Sequence, residues 1–99
     1  MASAIYAPKP VVLVVDDELL ARIAIVGEIE DAGFEVLEAG NADEAVRILE
    51  SRKDVRIVFT DIQMPGSMDG IRLARAIRDR WPPIELMLTS FLLEALQTS

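Results

Sequence analysis

The sequence predicts an α/β fold: a doubly wound parallel sheet of about four strands with helices on both faces. Three observations predict it. Val11–Val15 is an unbroken apolar run, mostly β-branched, which suits a strand covered on both sides. Strand-like and helix-like stretches then alternate as β-α-β-α-β-α-β with short connections, the pattern of right-handed crossovers. Acids or hydroxyls close three of the strands, and in such folds ligands collect beyond the carboxyl ends of the strands.

Each element has its own signal. After Val11–Val15, the acids Asp16, Asp17 and Glu18 open a helix over about Glu18–Ala32 that closes at Gly33, a residue suited to a left-handed stop. Phe34–Glu38 alternates as a short second strand. Asn41, followed three residues later by Glu44, is a capping box for a helix over Ala42–Ser51, with Ala45, Val46, Ile48 and Leu49 as its apolar positions. Val55–Thr60 is a third strand, ending at Asp61. A Pro/Gly loop over Ile62–Gly70 carries Met64 and Met68 as loop packing. The third helix, Ile71–Trp81, turns Leu73, Ala74 and Ile77 inward and Arg72, Arg75, Arg78 and Arg80 outward, and Pro82-Pro83 ends it. Ile84–Thr89 is a fourth strand, and Phe91–Leu96 suits a turn or two of helix.

With 99 residues the expectation is one domain over residues 11–99, preceded by a flexible lead-in over residues 1–10. There is no Cys, which excludes disulfide scaffolds and thiolate metal sites. There is no His, which excludes imidazole bases and ligands. A formal net charge of −7 argues against a nucleic-acid surface. No apolar run approaches the ~18 residues of a membrane span, and the N-terminal stretch lacks the pattern of a secretory signal. The expected setting is therefore cytoplasmic, with no membrane and no nucleic-acid partner.

The remaining chemistry belongs to carboxylates. The strand ends present Asp16, Asp17 and Glu18, then Asp61, then Thr89 and Ser90. Carboxylates brought together repel, so one holds a proton or a cation binds. Without His or Cys, the suitable cation is hard: Mg²⁺, or Mn²⁺. Asp61 is the best-placed nucleophile for a phosphoryl group, and the adjacent acids Asp16 and Asp17 read as metal holders. A lone Asp after a strand is more often a turn former or helix cap. It is the joint occurrence at neighbouring strand ends that favours a site.

The segments VVLVVDDE (Val11–Glu18), AGFEVLEAGNADEAV (Ala32–Val46), VFTDIQMPGSMDG (Val58–Gly70) and LMLTS (Leu86–Ser90) together resemble the receiver domain of bacterial two-component response regulators, in order and spacing. The resemblance implies a flavodoxin-like receiver fold. It implies Asp61 as phospho-acceptor, with Mg²⁺ held by Asp16, Asp17, Asp61 and the backbone carbonyl of Gln63. Thr89 would be the switch hydroxyl. The phosphoryl donor would be a histidine on a kinase or phosphotransfer protein, so the chain would be a phosphoryl acceptor rather than an enzyme.

The family pattern also carries a fifth strand, with a lysine at its end, and a fifth helix. The sequence is expected to stop short of these, and its lysines, Lys9 and Lys53, are not placed for that role. The loop has one residue more than the commonest family form between Pro65 and Met68, and Phe91 stands where the family often has a small residue. The first helix shows two apolar stripes: Ala21, Ala24, Ile25, Ile29 and Ala32, and then Leu19, Ile23 and Val26. With the open edge of Ile84–Thr89 and the apolar tail Phe91, Leu92, Leu93 and Leu96, these surfaces suit a homodimer. The alternative is a tail folded over its own sheet. The competing functional readings are a non-phosphorylated interaction or dimerisation module and a small Mg²⁺-dependent phosphohydrolase.

Overall fold

The computed structural model describes residues 9–61 and 70–89. In chain order these form β1 (Val11–Val15), α1 (Leu19–Asp31), β2 (Glu35–Ala39), α2 (Ala42–Ser51), β3 (Val55–Asp61), α3 (Gly70–Arg80) and β4 (Glu85–Thr89). The strands make one sheet in the order β2-β1-β3-β4, every pair parallel. The α/β doubly wound expectation holds.

The pleat of β1 explains the two layers. Side chains alternate across a strand, so Val11, Leu13 and Val15 join one core and Val12 and Val14 the other. The first core takes Ala42, Ala45 and Leu49 from α2 and Leu73 and Ile77 from α3. The second takes Ile25 and Val26 from α1. Helices thus cover both faces, and all five residues of β1 are buried, as its unbroken apolar run requires.

Several boundaries differ from the sequence reading, each for a local reason. Phe34 lies outside β2: its N–H turns back to the Ile29 carbonyl at the end of α1, and the strand runs on to Ala39, which pairs with Val15. Asp61 is the last residue of β3 rather than the first beyond it, because it pairs with Thr89. Pro10 accepts the Glu35 N–H at 3.0 Å, and residues 1–8 of the expected lead-in lie outside the described residues. Gly33 takes φ +102°, the left-handed stop expected of it. Asn41 caps α2 by accepting the Glu44 N–H at 2.8 Å; Glu44 answers by accepting from Gly40 N–H at 3.0 Å, one residue earlier than a regular capping box.

Helix α1 divides its residues differently from the two expected stripes. Ile25 and Val26 are buried and Ile29 is half-buried, whereas Ala24 and Ala32 are exposed. The inward face is therefore 22, 25, 26 and 29, at the i, i+3, i+4, i+7 spacing of one helix side. Leu19 and Ile23 are each 54% exposed and Leu20 is 75% exposed. The loop over 62–69 and the expected helical turn at 91–96 lie outside the described residues, as does the apolar tail.

Candidate functional site

Strands β1 and β3 are parallel neighbours with Val15 opposite Thr60. One residue on, Asp16 and Asp61 stand side by side at the carboxyl ends of the two strands. By the alternation of the pleat, both fall on the α1 side of the sheet. There they line a cleft of about 530 Å³ with Asp17 and Glu18 from the β1–α1 connection and Leu20, Ala21 and Ala24 from α1. The acids selected from the sequence thus meet at one place. Thr89, the register partner of Asp61, brings its backbone to the same rim. Gln63 and Ser90 lie outside the described residues.

Asp16 forms the floor of the cleft and is 1% exposed. Its Oδ1 accepts the Glu18 N–H at 2.9 Å, while its Oδ2 is buried with no hydrogen-bond partner among the described residues. Burial pushes its carboxyl above the ordinary range; the Glu18 N–H opposes this, and the charges of Asp61, Asp17 and Glu18 add to the rise. Glu18 occupies the N-cap position of α1 but makes no side-chain cap bond, so capping does not account for it.

An unpartnered buried carboxylate oxygen beside other acids is a donor set that suits a hard divalent cation. Among the described residues, no three His, Cys, Asp or Glu side chains close into a ligand set by themselves. Mg²⁺ does not require one, since it takes one or two carboxylates and keeps several waters. The residues present fit such an ion.

Arg22 is a site residue that the sequence reading missed. Its Nη1 donates to the Asp16 backbone carbonyl at 2.7 Å and its Nε donates to Glu38 Oε1 at 3.1 Å. It therefore pins the end of β1 to α1 and, through Glu38, to β2. Gly40 leaves room for it: a Cβ there would stand 3.0 Å from Nη1. The available signal is that Arg22 is the one base in Leu19–Asp31. Lys9 and Lys53 lie at the other end of the sheet, beside the starts of β1 and β3.

Comparisons with known proteins agree on one family. The model of the response regulator receiver domain matches residues 12–96. A putative NtrX-like response regulator of Rickettsia felis is 38% identical over 80 residues, covering 80% of this chain and 17% of that protein. A response regulator receiver protein from Pseudomonas putida has a similar crystal structure, with TM-score 0.76 and 28% identity over 93% of this chain and 78% of that one. The receiver domain of Saccharomyces cerevisiae Ssk1, solved together with the histidine phosphotransfer protein Ypd1, is also similar, with TM-score 0.72 and 25% identity over 82% of this chain and 63% of that chain.

Proposed function

The chain belongs to the response regulator receiver domain family, and from that premise we propose that Asp61 accepts a phosphoryl group from a phosphohistidine on a partner kinase or phosphotransfer protein. The observation that carries this reading is the shared cleft of Asp16, Asp17 and Asp61, with the unpartnered Oδ2 of Asp16 at its floor. An Asp61 carboxylate oxygen supplies the lone pair that forms the new oxygen–phosphorus bond. The donor's nitrogen–phosphorus bond breaks, its electrons return to the imidazole, and that nitrogen takes a proton from solvent. Asp16 and Asp17 would hold Mg²⁺, together with Asp61 and the Gln63 carbonyl. When bound, the ion supplies positive charge beside the carboxylates and the phosphoryl oxygens. Arg22 keeps Asp16 in place, and Thr89 at the adjacent strand end would be the hydroxyl that senses the product.

The partner follows from the chemistry of the donor, and the similar Ssk1 receiver was solved with such a phosphotransfer protein. The proposed setting is the cytoplasm; among the described residues no helix is long and apolar enough to cross a membrane. The family match does not favour the non-phosphorylated module, and repeated turnover of a phosphate ester would be the mark of a phosphohydrolase. A homodimer remains part of the proposal, supported by the half-exposed or more exposed Leu19, Leu20 and Ile23 on α1. Light scattering that finds a monomer at all concentrations would remove it.

The deciding experiment is intact mass spectrometry after treatment with acetyl phosphate. One phosphoryl increment that requires Mg²⁺ and is absent in Asp61→Asn supports the reading. No increment at saturating donor, or an increment that survives in Asp61→Asn, overturns it.

A further inference from the structure

At the end of the sheet opposite the carboxylate cleft, the turns entering β3 and β4 enclose a groove of about 270 Å³. Its apolar wall is Val55, Trp81, Pro83 and Ile84, and its rim is Arg52, Lys53, Arg56 and Arg80. Trp81 is held firmly. Its N–H donates to the Ile77 carbonyl at 2.7 Å, its carbonyl accepts from Ile84 N–H at 3.0 Å, and its ring packs on the core while carrying the Arg80 guanidinium 4.3 Å above it.

The charge at this pole runs against the rest of the chain. The molecule has 17 acids against 10 bases, yet four of those bases ring this one groove. Two are neutralised: Arg52 pairs with Asp54 and Glu35, and Arg80 with Glu50. Lys53 and Arg56 make no ion pair among the described residues. The groove therefore combines an apolar pocket with two cations that make no ion pair among the described residues, and its four bases outnumber their three acidic partners by one.

We propose that this groove docks a short acidic peptide segment of a partner protein, with one large apolar side chain against Trp81 and carboxylates on either side facing Lys53 and Arg56. The geometry favours a peptide over a nucleic acid. Glu35, Glu50 and Asp54 intersperse with the bases, so a continuous phosphodiester chain would meet repulsion between its points of attraction. A peptide places its charges singly. The surface lies away from Asp61 and does not rest on the phosphoryl-transfer reading.

Trp81 is the single tryptophan of the chain, so its fluorescence reports this groove alone. The probe is an acetylated, amidated peptide of sequence Ser-Glu-Phe-Glu-Ser, titrated into the whole protein with and without added salt. The expected result is a saturable change in Trp81 emission that weakens with salt. The dissociation constant should rise about tenfold in Lys53→Gln/Arg56→Gln and further in Lys53→Glu/Arg56→Glu. These side chains make no ion pair that the fold depends on, and an unchanged thermal melt verifies that the variants fold. Absence of a saturable change overturns the proposal. So does equal binding of a peptide with alanine in place of phenylalanine, equal response to inorganic phosphate, or tighter binding of a single-stranded oligonucleotide.

Discussion

Replacing Asp16 with asparagine isolates the charge at the floor of the carboxylate cleft. The substitution keeps the shape and the oxygen that accepts the Glu18 N–H at 2.9 Å, and it removes the charge shared with the unpartnered Oδ2. A buried polar group without a partner costs about 1–3 kcal/mol, and a charge costs more. The new amide leaves its own N–H groups buried, which offsets part of the gain. The net expectation is a stabilisation of about 1–2 kcal/mol at neutral pH in chelator, a rise of roughly 5–10 °C in Tm for a domain of this size. The sign with pH follows from the raised carboxyl of Asp16, whose ordinary value is 3.8. The folded wild type holds that proton more tightly than the unfolded chain does. Wild-type stability therefore gains as pH falls from the raised value to 3.8, and loses that gain as pH rises back through the raised value. Asparagine carries no such proton. The variant's advantage is full above the raised value, narrows through that window and is constant below it. Added Mg²⁺ reverses the order: an ion at 100 times its Kd stabilises the wild type by about 2.7 kcal/mol and the variant by much less. Differential scanning calorimetry across pH, with chelator or Mg²⁺, measures all of this. A variant less stable than the wild type at neutral pH in chelator, or an equal Mg²⁺ response in both, would refute the reasoning.

Three further substitutions test the scaffold. Arg22→Ala removes the bonds to the Asp16 carbonyl and to Glu38; about 1–2 kcal/mol of stability should be lost in urea titrations, and acetyl phosphate should modify the protein more slowly because the end of β1 is no longer held. Leu49→Ala empties a position that is 0% exposed between α2 and the sheet; the expected loss is about 3 kcal/mol, and a loss below about 1 kcal/mol would show that the site collapses freely. Asn41→Ala deletes the side-chain acceptor for the Glu44 N–H and should cost about 1 kcal/mol, visible as faster amide exchange confined to the first turn of α2.

Local chemistry made much of this legible in the sequence. The unbroken apolar run of β1 is the sequence image of a strand buried on both faces, and the positions of Asn41 and Gly33 mark helix ends because their side chains, or the lack of one, satisfy a local backbone need. The acids at 16, 17 and 61 stand out in the sequence because a parallel sheet sends its strand ends to one side. Periodicity alone could not apportion α1. Apart from Arg22 its first two turns are wholly apolar, so only docking on β1 and β2 decides that Val26 faces inward and Leu20 outward.

The sequence by itself determined the alternation of elements, the capping of α2 and the set of acids, since each depends on neighbours along the chain. Tertiary structure alone decided that Arg22 would clasp the end of β1, that Asp16 would keep an unpartnered oxygen, and that Arg52, Lys53, Arg56 and Arg80 would gather round Trp81. These features depend on distances between residues far apart in the chain, set by the strand order β2-β1-β3-β4 and its register. No local preference encodes such distances, because the energies that fix them arise only when the layers pack.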